Sequence, residues 1–130
     1  MMETLTVRTS QRVELIDVTS EVANVVGKGD VEEGVCIVYV PHTTAAVTIN
    51  ENADPSVGRD LLMKLSQLVP RDDAYTHGEG NSDAHVKSTL VGCSEVIPVR
   101  NGQLVLGTWQ GIYFCEFDGP RQRRLTVVVK

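Results

Sequence analysis

The stretch GVCIVYVPHTTAAVTIN, residues 34–50, decides the fold of this chain. Its first part, residues 34–40, is an unbroken apolar run, which is typical of a strand buried on both faces. Its last part, residues 45–50, resumes an extended pattern after a polar interruption at residues 41–44. The interruption carries His42, so we expect a histidine at the polar bend that follows a buried strand.

Two segments nearer the N-terminus alternate apolar and polar side chains, over residues 4–9 and 12–18. This alternation predicts two strands, and the short separation at residues 10–11 predicts a hairpin between them. A short helix follows. Its expected cap is Thr19 or Ser20, because a hydroxyl can accept a hydrogen bond from the first helical turn.

The most secure helix lies downstream of the bend. Asp54 is a preferred capping residue, and Pro55 suits the first helical position. Apolar residues then recur at helical spacing, namely Val57, Leu61, Leu62, Leu65 and Leu68. Pro70 ends the helix. The polar residues 71–84 form a long loop, which in a compact domain is often functional, and a short helix is expected over residues 84–90.

The C-terminal third is predicted to be strands, at residues 94–100, 103–107, 111–117 and 124–129. Asn101-Gly102 between the first two is a strong signal for a type I′ hairpin turn. We therefore predict an α+β fold, with residues 1–130 forming a single domain. It should contain a large, mostly antiparallel β-sheet and two to three helices.

Composition limits the partners of the protein. The 130 residues are 42% hydrophobic with a net charge of −5, which argues against binding to nucleic acid or to an anionic membrane. No apolar run approaches the roughly 20 residues that span a bilayer. The first four residues lack a signal-peptide pattern, and Cys36, Cys93 and Cys115 are best interpreted as buried, reduced thiols, so we expect a cytoplasmic protein.

The main chemical observation is the placement of the only three histidines, His42, His77 and His85, in or beside polar segments. Imidazole is the commonest metal ligand, and three of them could hold one divalent ion with an open position. The spacing matches no standard zinc motif. The alternative is that each histidine makes a local hydrogen bond within its loop.

Carboxylates form a second group of candidates. Glu51 lies between two asparagines before the predicted helix, where it could orient a histidine or act as a base. Glu79 and Asp83 lie between His77 and His85 and could do the same. The alternative for Glu79 and Asp83 is that they are solvated residues of a surface loop.

The third group surrounds the segment GTWQG, residues 107–111. Trp109 could stack on a flat ring while Gln110 binds its polar edges, although a turn whose tryptophan covers the core explains the pattern equally well. Arg121 and Arg123 could clamp a phosphate, or they could pair with acids at a subunit contact.

Together these segments resemble the YjbQ family, from about residue 34 to the end of the chain. The motifs that carry the resemblance are PHTTAA at 41–46, NENAD at 50–54, HGEG at 77–80, DAHVKS at 83–88 and GTWQG at 107–111. The resemblance implies an α+β fold, a homotrimer and a pocket near a subunit interface. It also implies a bound metal such as zinc and a secondary thiamine-phosphate synthase activity.

On this resemblance we expect an enzyme that joins a pyrimidine diphosphate to a thiazole phosphate. Its expected metal ligands are His42, His77 and His85, and its expected catalytic residues are Glu51, Asp83 and His85. Its expected substrate-binding residues are Trp109, Gln110 and Arg121. Two alternatives stay open at this point. One is a hydrolase of phosphorylated small molecules that uses zinc or magnesium, and the other is a non-enzymatic module that binds such a metabolite.

Overall fold

The computed structural model describes residues 1–130 and contains three helices and eight strands. The strands are β1 (Met2–Arg8), β2 (Glu14–Asp17), β3 (Glu33–Tyr39), β4 (Ala45–Glu51), β5 (Ser94–Arg100), β6 (Gln103–Leu104), β7 (Gln110–Glu116) and β8 (Gln122–Val129). The helices are α1 (Thr19–Lys28), α2 (Pro55–Leu68) and α3 (Ser82–Val91). No helix among them has the length and apolar character that crossing a membrane requires.

Every strand pairing is antiparallel. Five strands form one sheet in the order β1-β8-β3-β5-β6, and three form another in the order β2-β7-β4. The predicted α+β class with a large antiparallel sheet and two to three helices is confirmed. The sequence did not indicate that the strands divide into two hydrogen-bonded sheets.

A cluster of 17 buried residues fills the space between the two sheets. On β8 the alternate residues Leu125, Val127 and Val129 point into it, which is the pattern of a strand with one face on a core. α1 contributes three valines to the same cluster. Burying each such side chain contributes about 2 kcal/mol, so this cluster is the main source of stability.

A smaller cluster lies on the other face of the three-stranded sheet. Its buried residues are Ala46, Ala84, Cys115 and Phe117. Leu62 and Leu65 of α2 pack against it. Because the two clusters cover opposite faces of the three-stranded sheet, β7 is buried on both sides. α3 packs against β4, beside the bend at residues 41–44.

The predicted hairpin through residues 10–11 is wrong. β1 pairs with β8, with Leu5 opposite Leu125, whereas β2 pairs with β7, with Leu15 opposite Cys115. The alternating pattern correctly identified both strands, but it carries no information about which strand is the partner. The segment between them instead takes the chain from one sheet to the other.

Three local predictions also need correction. β3 is buried on only one face, since Tyr39 is 46% exposed while Cys36 and Val38 are buried. α1 begins at Thr19 with no side-chain cap, and the Asp17 carboxylate instead accepts the Thr19 N–H at 2.9 Å. The predicted strand at residues 103–107 is reduced to the two residues of β6.

Two other local predictions are confirmed. Asp54 caps α2 by accepting the N–H of Ser56 at 2.9 Å, and Pro55 is the first helical residue. Asn101 and Gly102 both have positive φ, 54° and 70°, as a type I′ turn requires. The α2 helix then leads to the polar loop that enters the candidate site.

Candidate functional site

A polar cavity of about 570 Å³, here called the histidine cavity, lies where the bend at 41–44, the loop before α3 and the segment after β7 meet. Ten residues line it, and none is hydrophobic. Its ionisable lining residues are Arg71, Arg121, His77, His85, Glu79 and Asp118. The remaining residues are Thr43, Thr44, Gly80 and Asn81. A cavity with this lining selects a polar, charged ligand.

His77 and His85 face each other in this cavity. Their ring centroids are 5.4 Å apart and the rings are nearly perpendicular, at 82°. His85 lies in the first turn of α3, and His77 lies in the preceding loop with its Nε2 3.7 Å from the Glu79 carboxylate. The predicted convergence of these two histidines is therefore found, with Glu79 beside them.

Arg121 is held at the cavity wall by Asp118. Its Nε donates to the Asp118 carbonyl at 2.9 Å, and its Nη2 lies 3.2 Å from the Asp118 carboxylate. Asn81 donates to the same carboxylate at 2.9 Å. Arg71 forms no ion pair. The cavity thus presents one oriented guanidinium and one unpaired guanidinium, the groups that bind phosphate best.

Arg123 does not reach the cavity as the sequence suggested. It is buried beneath it, and its Nε donates to both carboxylate oxygens of Glu116 at 2.9 and 3.1 Å. Its Nη2 also donates to the backbone and side-chain oxygens of Thr44. Thr9 completes the network by donating to Glu116 at 2.7 Å and accepting the Arg121 N–H at 2.8 Å.

Glu116 is charged at this buried position. Burial alone would raise its pKa, but the hydrogen bonds from Arg123, Thr9 and the Asp118 backbone outweigh burial and lower the pKa. The network therefore joins Thr44, Asp118 and Arg121, all three of which line the histidine cavity, to one buried ion pair.

Asp83 lies in a different place from the one its predicted catalytic role requires. Its side chain is fully buried and forms ion pairs with Arg12 at 3.0 Å and with Lys87 at 3.4 Å. Burial opposes its charge, but these two cations lower its pKa overall. It does not line the histidine cavity, because its position in α3 turns it toward the protein interior.

His42 lies in an adjacent cavity of about 460 Å³, here called the Cys93 cavity, which shares Thr43 and His85 with the histidine cavity. Its Nε2 accepts the backbone N–H of Arg124 at 2.9 Å. Burial and the positive charges of Arg123 and Arg124 lower its pKa. His42 is therefore neutral near pH 7, with its proton on Nδ1.

The predicted three-histidine metal site is not assembled within one chain. The Nε2 of His42 is already a hydrogen-bond acceptor, and this histidine lies outside the cavity that His77 and His85 share. No three histidine, cysteine, aspartate or glutamate side chains are grouped so that they could hold a metal ion. The residues of a single chain therefore do not fit the zinc site that the resemblance implies.

Glu51, Trp109 and Gln110 form a separate group. In the β4–β7 pairing Glu51 is opposite Gln110, while Ala45, next to the histidine cavity, is opposite Glu116. The two ends are six residue steps apart along β4, roughly 20 Å. The Gln110 side chain accepts the Gly107 N–H at 2.8 Å, as a turn requires. Trp109, however, is 62% exposed, so the expectation that it covers the core is wrong.

Sequence reasoning gave no role to five side chains that line the histidine cavity: Thr43, Thr44, Arg71, Asn81 and Asp118. Thr43 and Thr44 lie inside the motif at 41–46, and Asn81 directly follows the motif at 77–80, so proximity to His42 or His77 was a usable signal. Arg71 is in the least distinctive part of the loop. Asp118 follows the predicted strand at 111–117 and lies three residues before Arg121, so their pairing is a local contact that the sequence analysis did not predict.

Comparison with known proteins gives a consistent result. The family model described as UPF0047 protein YjbQ-like matches residues 3–130. The UPF0047 protein MJ1081 of Methanocaldococcus jannaschii is 52% identical over 95% of this chain and 89% of its own length. The UPF0047 protein YugU of Bacillus subtilis is 50% identical over 95% and 94%.

A solved structure agrees with these matches. It is the crystal structure of an uncharacterised YjbQ/UPF0047 protein of Clostridium acetobutylicum, which is 48% identical. It superposes with a TM-score of 0.97 and covers 98% of this chain and 99% of its own.

Proposed function

The chain belongs to the UPF0047 YjbQ-like family. From that premise we propose that it binds a phosphorylated small molecule in the histidine cavity and breaks the carbon–oxygen bond that joins the molecule to its phosphate group. The observation that carries this proposal is the lining of the cavity. It contains two arginines, two histidines and no hydrophobic residue. Of its two carboxylates, Asp118 is paired with Arg121 and Glu79 lies beside His77, so Arg71 keeps an unpaired positive charge. A phosphate group brings the negative charge and the acceptor oxygens that such a lining requires.

The reaction that we propose is thiamine-phosphate synthase-type transfer. A thiazole nitrogen attacks the methylene carbon of a pyrimidine diphosphate, so that a carbon–nitrogen bond forms and the carbon–oxygen bond breaks. The bonding electron pair leaves with pyrophosphate, and no proton has to be removed from the attacking nitrogen. The protein must therefore mainly bind the leaving pyrophosphate and stabilise its growing charge.

The residues of the cavity suit that task. Arg121 is oriented by Asp118, and the unpaired Arg71 can add a second guanidinium to the leaving group. His77 and His85 line the same cavity and can donate hydrogen bonds to phosphate oxygens. A bound divalent metal would supply further charge neutralisation, but no step here depends on one.

We also propose that the protein works as a homotrimer. An apolar row crosses the outer face of the five-stranded sheet, where Ile37 is paired with Val96 on one side and with Val128 on the other. Met2 extends the row opposite Val128, and Met2 and Val96 are 71% and 60% exposed. Burial against a neighbouring subunit would remove this surface from water. Because Glu51 and Trp109 lie at the far end of the β4–β7 pair from their own histidine cavity, we propose that they contribute to the cavity of a neighbouring subunit.

The cytoplasm is the compartment that we propose for this protein, because all three cysteines are free.

The phosphate proposal is tested by measuring the binding of inorganic phosphate by calorimetry. Arg121→Ala and Arg71→Ala should each weaken binding about tenfold, because each removes charge-assisted hydrogen bonds. Arg100→Ala removes an exposed arginine outside the cavity and serves as the matched control. No measurable phosphate binding by the unmodified protein would overturn the proposal.

The reaction is tested separately by supplying the pyrimidine diphosphate and the thiazole phosphate together and measuring pyrophosphate release. Release that requires both substrates supports the transfer. Phosphate release from either compound alone would establish a hydrolase instead. Tight binding of both compounds without turnover would establish a binding module.

A further inference from the structure

The Cys93 cavity lies next to the histidine cavity, and the two share Thr43 and His85. A molecule can therefore extend past His85 from one cavity into the other. The linings differ in character. Arginine and carboxylate side chains are present in the histidine cavity and absent from the Cys93 cavity, where alanine, glycine, threonine and cysteine provide apolar atoms.

Ser88 provides the strongest indication that the Cys93 cavity takes a ligand. It lines the cavity and is only 8% exposed, yet its hydroxyl has no hydrogen-bond partner in the protein. A buried polar group without a partner costs free energy, so native structures rarely contain one. The Oγ atom itself is enclosed, so a ligand in the cavity becomes its partner when the Ser88 side chain rotates toward the cavity.

His42 provides a second unused polar atom. Its Nε2 is occupied by the Arg124 N–H, so the proton of the neutral ring is on Nδ1, and Nδ1 makes no hydrogen bond in the protein. His42 and Ser88 together offer the cavity an N–H donor and a hydroxyl. Both can be satisfied by a ligand that carries an acceptor atom.

We propose that the Cys93 cavity is a second subsite, which takes the uncharged organic part of a phosphate ester whose phosphate occupies the histidine cavity. The organic part is small enough for about 460 Å³ and carries a hydrogen-bond acceptor, such as a ring nitrogen or a carbonyl oxygen, that faces Ser88. The inference rests on the proposed function for the position of the phosphate, and on Ser88 and His42 for the subsite itself.

The thiol of Cys93, which lines the cavity, can report whether a ligand is bound there. The expectation of buried thiols is wrong for Cys93, which is exposed, whereas Cys36 and Cys115 are buried. Burial raises the pKa of these two thiols to about 11 and about 12. A thiol reagent such as dithionitrobenzoate should therefore react quickly with one cysteine per native chain, because only thiolates attack it. A ligand in the subsite should slow that reaction.

The experiment measures the reaction rate of Cys93 with three probes: inorganic phosphate, the thiazole-ethanol phosphate of the proposed reaction, and pyridoxine 5′-phosphate. We expect at least one ring phosphate to slow the reaction fivefold or more, and inorganic phosphate to leave it unchanged. If inorganic phosphate binds by calorimetry and neither ring phosphate protects Cys93, the subsite is overturned and the phosphate site stands. If phosphate does not bind but a ring compound protects Cys93, the subsite stands and the proposed function fails.

Ser88→Ala provides the second measurement. It should weaken binding of the protecting ester about three- to tenfold and leave the affinity for inorganic phosphate unchanged. It should not lower the melting temperature, because the hydroxyl has no partner to lose. Ser66→Ala, at an exposed position of α2, is the matched control. An unchanged ester affinity in Ser88→Ala would contradict the proposal.

Discussion

Arg12 and Asp83 are 71 residues apart in the chain and form a two-point ion pair. Nη1 of Arg12 lies 3.2 Å from one carboxylate oxygen of Asp83, and Nη2 lies 3.0 Å from the other. Lys87 adds a second cation to the same carboxylate. The pair attaches the segment between β1 and β2 to α3, the helix that carries His85. Asp83 therefore explains how His85 is positioned.

We predict that Asp83→Asn lowers the free energy of unfolding by about 3 kcal/mol. The substitution leaves the buried Lys87 and the partly buried Arg12 without their anion, and an unpaired buried charge is costly. Urea denaturation followed by circular dichroism measures the change. Asp72→Asn, in the exposed part of the loop, should be nearly neutral. A stable Asp83→Asn protein that has lost turnover would instead restore the catalytic role expected from the sequence.

The stability of the protein should decrease on acidification in two separate ranges. The pKa of His42 is lowered in the folded protein, so below its ordinary value of 6.5 the unfolded chain binds more protons and the folded state loses stability. Asp83 and Glu116 also have lowered pKa values. The stability that they contribute is present above their ordinary values of 3.8 and 4.5 and is lost as the pH falls through their lower folded values.

Denaturation measured from pH 8 to pH 3 tests this prediction. His42→Gln should remove the decrease that begins below pH 6.5 and keep the decrease below about pH 4. Glu116→Gln should reduce only the lower one. If His42→Gln retains the full pH dependence between pH 5 and 6.5, then His42 is not the group responsible for it.

The sequence predicted the elements of this fold better than it predicted their partners. Local signals were sufficient for α2, where Asp54 and Pro55 mark the start, and for the type I′ turn at Asn101 and Gly102. The pairing of β1 with β8 joins residues at opposite ends of the chain, and local periodicity carries no information about such a contact.

The candidate site shows the same contrast between what local sequence predicts and what depends on distant contacts. His77 and His85 were identified because they flank one polar loop, and they do share a cavity. Glu51 was grouped with them only because carboxylates often support histidines, and it lies at the far end of β4. Asp83 was interpreted as a free carboxylate, because its cation Arg12 is distant in sequence. Residue type predicts chemistry, but only the fold determines which groups meet.

Metal content provides a further test of the predicted zinc or magnesium. Because one chain does not group three suitable ligands, we expect untagged protein after dialysis to contain far less than one zinc or magnesium ion per chain. Plasma mass spectrometry measures the content of both metals. His77→Ala provides the comparison, since it should leave the low value unchanged. If the unmodified protein instead contains one zinc ion per chain and His77→Ala contains none, then a metal site exists that a partner subunit completes.

The trimer proposal makes a prediction about the apolar row on the five-stranded sheet. Val96→Lys places a charge in the middle of that row, opposite Ile37, and should convert the trimer to monomers because burying an unpaired ammonium is costly. Light scattering after size-exclusion chromatography measures the mass. Leu68→Lys changes an exposed leucine of α2, 66% exposed, and should leave the trimer intact. A monomeric unmodified protein would contradict the proposal directly.

Mixing two inactive variants tests whether a site takes residues from two subunits. Glu51 and His85 lie in separate parts of one chain, so each would contribute to a different site of a ring-shaped trimer. Refolding Glu51→Gln and His85→Ala chains together in equal amounts should then restore intact sites at about a quarter of the positions, because each site draws its two residues independently from neighbouring subunits. Pyrophosphate release measures the recovery, and each variant refolded alone should stay inactive. If the mixture shows no recovery although mixed trimers form, then Glu51 and His85 do not share a site across the subunit interface.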